Sequence, residues 1–439
     1  MKKPQKPPDI AGSFTDEYHE FVNRFYQGGD EGTKISRLIR KYNEQEYIHW
    51  DDLRRKNIPY DPKNFWYAIR TIRSTKYREV RIGNEKFWFS MPEIFHKQLH
   101  LIDKASPASF DWLFAEIPGE ANKKQYLINS LMEEAIASSQ LEGAATTRPV
   151  AKKILREGRK PKNTSEQMIV NNYRTILRLK EMRDQPLSRE LILEIHHEIT
   201  RETLDDESDE SAFRTCDVVV GDRVDPAKVY HYAPPHEKIP AMTDNLIAFA
   251  NADDEFIHPI IKAIILHFLI GYIHPFTDGN GRTARAIFYW FALKHHYDLL
   301  EYLSISRIFV HAPAQYTRAY QLTETDSNDM TYFIDFNIQV ISRALEDLKQ
   351  YILRKKGEEA EALHLVEEIP GLSFRQAEIL RDFIRHPARY YSISEIAGKY
   401  KVSLPTARSD LLLLEKKGQL KKYQDGKRQV FLYPREKRA

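Results

Sequence analysis

The chain has 439 residues, 42% of them hydrophobic, and a formal net charge of +3 at pH 7. This length and apolar content predict a large buried core and more than one domain. The most apolar stretch, residues 256–273, is interrupted by two histidines, a proline and a lysine, which favours a buried helix over a membrane span. The N-terminal lysines precede no apolar signal segment, so we expect a soluble, cytoplasmic protein.

Charge and composition divide the chain into parts of different character. Residues 371–439 carry 16 Lys/Arg against 7 Asp/Glu, an excess of +9, which leaves −6 for the remainder. In chain order the predicted parts are a disordered Lys/Pro-rich tail (1–14), an N-terminal α/β module (15–105), a helical core (106–353), a charged linker (354–370) and a basic C-terminal domain (371–439).

Hydrophobic periodicity predicts a mainly α fold. In the N-terminal module, strands at Tyr77–Ile82 and Lys86–Phe89 are joined across a Gly-Asn turn, while apolar residues elsewhere recur at helical spacing. Within the core a second hairpin is predicted from the Val-rich run Asp217–Gly221 and the extended piece Lys228–Tyr232. The predicted core helices are Gln125–Ser139, Glu166–Met182, Leu187–Thr203, Lys238–Asn251 and Met330–Lys349.

The most informative segment is the loop His274–Arg285, which follows the apolar helix and opens another. Backbone amides at a glycine-containing turn into a helix N-terminus form an anion site, because unpaired N–H groups and the helix dipole both face the ligand. Arg282 and Arg285 are three apart and can contact successive phosphates. Asp278 offers a hard oxygen to Mg²⁺, and His274 is placed to accept a proton from an attacking hydroxyl.

Each fragment of this loop is ordinary by itself. A His-Pro pair commonly ends a helix, and Asp-Gly-Asn-Gly commonly forms a turn. A histidine, an aspartate four residues later, two glycines around an asparagine and two arginines at helical spacing are together hard to explain by packing. The combination therefore favours phosphate chemistry over a structural turn.

The loop resembles the Fic family motif HxFx(D/E)GNGRxxR and matches it at every specified position from His274 to Arg285. The resemblance covers roughly residues 110–350, since Phe213-Arg214, the hairpin after it and the Pro234-Pro235 pair are also arranged as in that family. It implies an all-helical Fic core that transfers AMP from ATP, with Mg²⁺, to Ser, Thr or Tyr hydroxyls of a target protein.

The family's site residues carry over position by position. His274 would be the catalytic base and Asp278 the magnesium ligand, while Arg282 would contact the β-phosphate and Arg285 the γ-phosphate. The hairpin resembles the family's flap, which aligns the target backbone by strand addition. The ATP-binding set implied by the resemblance is Asp278, Gly279, Asn280, Gly281, Arg282, Thr283, Ala284, Arg285, Val218, Val219, Val220, Gly221, Tyr316 and Thr323.

A second pattern lies upstream of the loop. A glutamate before a glycine is usually a solvated helix end, but Ser138, Glu142 and Gly143 match the family's inhibitory pattern (S/T)xxxE(G/N). The resemblance implies that Glu142 pairs with Arg285 and takes the place of the γ-phosphate, as in the self-inhibited class of the family. Some relatives with this glutamate also remove AMP, so Glu142 could serve hydrolysis as well.

The C-terminal domain resembles a winged helix-turn-helix. Helices at Ser373–His386, Ser392–Tyr400 and Ser403–Lys417 precede strands Gln419–Tyr423 and Arg428–Tyr433. The charge excess favours binding of double-stranded DNA over a protein-binding role. The predicted DNA contacts are Ser403, Thr406, Arg408, Ser409, Lys427 and Arg428.

Two functions from different classes are consistent with these features. The first is a protein adenylyltransferase with a built-in inhibitory residue, to which family habit adds a homodimer; the second is a DNA-binding regulator whose Fic core only senses nucleotide. His274 favours the enzyme, because a sensor needs no base. The two arginines favour a triphosphate donor over the choline-bearing diphosphates that other relatives use, and a toxin role stays open.

Overall fold

The computed structural model describes residues 3–9, 15–104, 120–221, 225, 227–386, 389–425 and 428–434. The fold is mainly α, as predicted. The chain forms two compact units, Met1–Leu348 and Lys349–Ala439. The predicted N-terminal module therefore belongs to the same unit as the helical core, and residues 10–14 of the predicted disordered tail lie outside the described residues.

The N-terminal part of the first unit consists of five helices and one hairpin. Strands β1 (Arg78–Ile82) and β2 (Glu85–Phe89) pair antiparallel around a turn in which Gly83 has a φ of +60°, confirming the predicted hairpin. A π-helical turn, Lys41–Gln45, follows the second helix. The helices are α1 (Asp16–Tyr26), α2 (Gly29–Arg40), α3 (Trp50–Leu53), α4 (Pro62–Ser74) and α5 (Glu93–Lys104).

The rest of the first unit is a helical body with one short hairpin, β3 (Val219–Gly221) and β4 (Val229–Tyr232). Predicted helices are observed at every predicted position, with shifted ends. The helices are α6 (Glu120–Leu141), α7 (Arg148–Glu157), α8 (Thr164–Met182), α9 (Arg189–Thr200), α10 (Ile239–Asn251), α11 (Pro259–Ile273), α12 (Asn280–Lys294), α13 (Ile305–His311), α14 (Pro313–Thr325) and α15 (Thr331–Glu368).

Helix α11 is central to this body. Residues 260–270 are all buried, so the helix is surrounded by protein on every side, as the absence of an amphipathic pattern predicts. It packs against α12, and the loop of interest connects the two. Among the described residues no helix is both long and apolar enough to cross a bilayer.

The β1–β2 hairpin packs on the end of α11 and on the turn before α15. The ring of Phe87 meets the ring of Tyr272 edge-on at a centroid distance of 4.9 Å. The backbone of Trp88 accepts a hydrogen bond from Met330 N (2.7 Å) and donates one to Asn328 O (3.1 Å). These contacts join the N-terminal segment to α11, the helix before the loop, and to the turn between α14 and α15.

Helix α15 corrects the predicted linker at 354–370. The helix continues to Glu368, because Lys, Glu and Ala in this charged run are strong helix formers. A charged run without apolar periodicity had suggested a connector. The predicted end of the core at residue 353 also differs from the boundary between the units, which falls after Leu348.

The second unit contains three further helices and a three-stranded sheet. The helices α16 (Phe374–Arg385), α17 (Ile393–Tyr400) and α18 (Leu404–Lys416) are N-capped by Ser373, Ser392 and Ser403. The sheet order is β5 (Tyr391–Ser392), β7 (Arg428–Leu432), β6 (Lys421–Asp425), and all pairs are antiparallel. Strand β5 was not predicted, since two residues carry no periodic signal.

Candidate active site

The loop between α11 and α12 is held in one conformation by its own residues. His274 ends α11 with φ 50° and ψ 58°, and Gly279 begins α12 with φ 82° and ψ 0°. Between them, the side-chain amide of Asn280 accepts from Phe276 N (3.0 Å) and donates to Phe276 O (2.8 Å). Asn280 therefore acts inside the loop as a buried clamp, in addition to its predicted place at the helix N-terminus.

The ring of His274 has a defined tautomer. Its Nδ1 lies 3.1 Å from Gly271 O, and a carbonyl oxygen only accepts, so Nδ1 carries the hydrogen and Nε2 carries the lone pair. Burial lowers the pKa of His274 to about 4, against the opposing effect of the Gly271 carbonyl. The ring is thus neutral near pH 7 and presents a base at Nε2.

The carboxylate of Glu142, the residue that follows α6, lies against the first turn of α12. A Cβ added to Gly281 would overlap Oε1 of Glu142, so the absence of a side chain there makes room for this oxygen. The side chains of Thr283 and Ala284 are fully buried.

Arg285 is enclosed by the predicted inhibitory residues. Its Nε donates to Ser138 Oγ (2.8 Å), and its Nη2 donates to Ser138 O and to Glu142 Oε1, both at 2.9 Å. Burial disfavours the charged guanidinium, but the Glu142 carboxylate and Tyr316 more than offset this effect and the pKa of Arg285 is raised. Gly143, with φ 97°, ends this segment just after α6.

The other motif arginine faces a different neighbour. Arg282 is fully buried, and it donates to Ile199 O at the end of α9 and to Asp278 Oδ2, both at 3.2 Å. The Asp278 side chain is 58% exposed. Arg282 thus orients the carboxylate of Asp278, a contact that motif matching did not suggest.

The β3–β4 hairpin, here called the flap, lies beside this loop. Val219 pairs with Tyr232 and Val220 with His231, and the register shifts at Gly221. Val218 precedes the first strand, and residues 222–224 and 226 between the strands lie outside the described residues.

Sequence reasoning missed the site role of Arg214, which fastens the flap. Its guanidinium donates to His274 O (2.7 Å), to Cys216 O (2.6 Å) before the flap and to Pro234 O (2.5 Å) after it. Arg214 was noticed only through its place before the Val-rich run. A buried arginine bonded to carbonyls of three separated segments leaves no local pattern that could have revealed it.

His196 was also missed. Its Nε2 lies 2.9 Å from Asp278 O and its Nδ1 3.2 Å from Glu210 O, while its ring stacks on Phe276 at 3.6 Å. Burial lowers its pKa to about 4. Because it lies in the predicted helix Leu187–Thr203, only the alternation of apolar and polar residues around it was visible.

Of the two predicted adenine or ribose contacts, Thr323 is buried and Tyr316 is half-buried. Thr323 is fully buried, and its hydroxyl donates to Ala319 O in its own helix (3.2 Å). Tyr316 lies closer to the motif, since it contributes to the raised pKa of Arg285, and its hydroxyl is 2.8 Å from His267 Nε2. Helical spacing could not tell which face of α14 would be covered.

In the second unit, the predicted DNA contacts lie on α18 and the following hairpin. Ser403 caps α18 by accepting from Thr406 N, whereas Arg408 and Ser409 are exposed on the helix. Arg428 is exposed at the start of β7. Lys427 lies outside the described residues.

Comparison with known proteins agrees with this geometry. Residues 186–292 match the model of the Fic/DOC family, a range that contains the whole loop. The chain therefore contains a Fic domain. A Fic family protein from Desulfovibrio desulfuricans G20 has a similar fold, with a TM-score of 0.51 at 16% identity, over 80% of this chain and 98% of that one.

Curated relatives match over shorter stretches. The chain is 26% identical to a protein adenylyltransferase Fic of Nematostella vectensis over 208 residues, which is 45% of either protein. It is 31% identical to the protein of the same description from Culex quinquefasciatus over 97 residues, or 17% of that protein. The chain thus spans less than half the length of these relatives.

The backbone at Gly279 provides a test of the loop. We expect Gly279→Ala to destabilise the protein by about 1–2 kcal/mol and to abolish nucleotide binding, because an L-residue is strained at this φ and its Cβ would lie 2.6 Å from Thr200 Cγ2. Thermal unfolding and ATP titration calorimetry measure the two effects. Gly398→Ala is the control, since that helical glycine has open space around it; equal behaviour of the two variants would contradict the expectation.

Proposed function

We propose that this protein is a protein adenylyltransferase that transfers AMP from ATP to a hydroxyl side chain of a target protein. The observation that carries the proposal is the neutral His274 ring with its lone pair on Nε2, at the start of a loop that leads into a glycine-containing helix N-terminus with two buried arginines. The relatives described as protein adenylyltransferases support it.

The chemistry assigns one step to each group. The target hydroxyl oxygen attacks the α-phosphorus of ATP, its proton passes to Nε2 of His274, and the bond from the α-phosphorus to the bridging oxygen breaks, releasing pyrophosphate. Preorganised donors stabilise the charge that develops on the phosphate oxygens. The amides of Gly279, Asn280 and Gly281 at the start of α12 are such donors.

Asp278 fits a magnesium site. Mg²⁺ commonly binds through one or two carboxylates together with substrate phosphates, and Asp278 is an exposed carboxylate oriented by Arg282 at the same helix terminus. When bound, the ion would supply neutralisation of phosphate charge. The protein's part is to hold this carboxylate next to the amides.

Glu142 restrains the activity in this proposal. Its carboxylate pairs with Arg285 and lies against Gly281, where the terminal phosphate of a triphosphate needs the same cation and the same space. Two negative groups close together in a partly buried site repel each other. ATP would then bind in an unproductive pose until α6 shifts, and a role of Glu142 in AMP removal is a secondary proposal on the same residue.

Radiolabelling tests transfer and restraint together. Purified wild type, Glu142→Gly and Glu142→Gly/His274→Ala are incubated with α-³²P-labelled ATP and Mg²⁺, alone and with cell lysate. We expect label mainly with Glu142→Gly, at least about tenfold above wild type, and loss of about 10²–10⁴-fold in the double variant, because general-base catalysis typically contributes that much.

The outcomes separate the two candidate functions. If no variant labels itself or any lysate protein while ATP still binds, the chain acts as a nucleotide sensor and the transferase proposal is wrong. If wild type and Glu142→Gly label equally, transfer stands and the restraint by Glu142 does not.

The pKa of His274 predicts the pH dependence. The base acts when neutral, and a pKa of about 4 keeps it neutral at and above pH 5.5. In Glu142→Gly the initial labelling rate at pH 5.5 should stay within about twofold of that at pH 7.5, whereas a histidine of ordinary pKa would lose about tenfold. Removing Glu142 removes a charge that raises the pKa of His274, so the variant moves the pKa further in this direction.

DNA binding is a second candidate function, for the C-terminal unit. The exposed Arg408 on the capped helix α18 favours it, together with the +9 charge excess. Fluorescence anisotropy of the full chain with a mixed-sequence duplex over a salt series should show that Arg408→Ala lowers the salt slope by about 1. Arg385→Ala removes the same charge on α16 and is the control; no salt-dependent binding by wild type would refute the candidate.

A further inference from the structure

The flap is attached to the helix that carries the catalytic base through a buried histidine. His231 on β4 is 8% exposed. Its Nε2 lies 2.7 Å from Tyr272 O in the last turn of α11, and its Nδ1 lies 3.0 Å from Oε1 of Glu324 on α14. One side chain thus connects three elements.

Both neighbours of His231 are acceptors. A carbonyl oxygen has no hydrogen to give, so Nε2 donates to Tyr272 O, and Nδ1 lies within ion-pair distance of the Glu324 carboxylate. The Glu324 side chain is 17% exposed, so this contact is largely shielded from water.

The position of His231 at a helix C-terminus adds to its effect. The last carbonyls of a helix have no partner within it, and hydrogen-bond donors from elsewhere satisfy them. At the end of α11 each of these carbonyls has a partner: Gly271 O accepts from His274, Tyr272 O from His231, and Ile273 O from Arg214 at 3.4 Å. His231 of the flap, Arg214 before the flap and His274 therefore complete the end of α11.

The N-terminal segment contacts the chain close to both partners of His231. Trp88 of β2 pairs through its backbone with Asn328 and Met330, just after α14 ends at Thr325. Phe87 packs on the ring of Tyr272. The hairpin of the N-terminal segment thus contacts α11 and the turn that follows α14.

We propose that His231 is a positioning residue, and that its bonds to Tyr272 and Glu324 hold the flap in register beside the phosphate loop. The effect on target modification rests on the proposed function. The fastening of the flap does not, so the two can fail separately.

Hydrogen exchange measures the fastening directly. Full-length wild type, His231→Ala, Glu324→Ala and Glu324→Gln are compared by mass spectrometry on peptides covering β3 and β4. We expect exchange at least about tenfold faster in the two alanine variants, because local opening of the hairpin no longer breaks the shielded contact between His231 and Glu324. Glu324→Gln keeps an amide oxygen that accepts from Nδ1, so its exchange should lie closer to wild type.

A matched control is a second pair of a histidine and an acid, which lies just outside the two strands of the flap. His236 Nδ1 is 3.0 Å from Asp217 Oδ1, but this His–Asp pair is exposed, and such pairs stabilise little. His236→Ala should leave exchange in β3 and β4 unchanged. If His231→Ala does not fold, as judged by thermal unfolding, Glu324→Ala and Glu324→Gln decide the result.

Kinetics in the Glu142→Gly background test the positioning role. We expect Glu324→Ala to raise KM for the acceptor protein about tenfold and to leave the affinity for Mg-ATP within about twofold, with partial recovery in Glu324→Gln. Unchanged exchange in both alanine variants overturns the proposal, and so does faster exchange with unchanged KM. Faster exchange when even Glu142→Gly labels no protein means that the fastening stands and the transferase function fails.

Discussion

The carboxyl-terminal end of α11 is the constraint on which the site depends. A buried helix must find partners for its last carbonyls or lose free energy for each one left unpaired. Here those partners are His274 itself, Arg214 and His231, so the groups that complete the helix also orient the base and attach the flap. The bonds that give the helix carbonyls their partners are therefore the same bonds that fix the geometry of the site.

The opposite side of the loop is organised by charge. Arg285 is a buried cation and therefore needs hydrogen-bond acceptors. Ser138 on α6 and Glu142 just after α6 provide them. Breaking such a shielded pair from one side leaves a buried charge without compensation, which costs several kcal/mol. In the proposed function, a nucleotide phosphate would be the acceptor that pairs with this guanidinium once the carboxylate has moved away.

Local patterns were enough to predict the loop, the pairs of strands and the place of most helices. The loop motif placed His274 and the arginines together because its residues are close in sequence, and turn chemistry at Gly83 gave the first hairpin. The contacts that the sequence did not predict join segments that are far apart in the chain. Arg214, His196 and His231 act through carbonyls of other elements, and the burial of Thr323 depends on which helices cover α14. The charged run after residue 353 differs from its prediction in the opposite way. It was predicted as a linker because it lacks apolar periodicity, yet its residues form a helix through their own propensity.

Gly281 has a consequence that extends beyond packing. Because it has no side chain, Glu142 reaches the helix N-terminus from the same polypeptide, and a ligand tethered in this way meets its site at an effective concentration set by the chain and not by the amount of protein. Dilution of the protein therefore does not separate this carboxylate from Gly281. If ATP binds as proposed above, the nucleotide competes with a group whose local concentration stays constant.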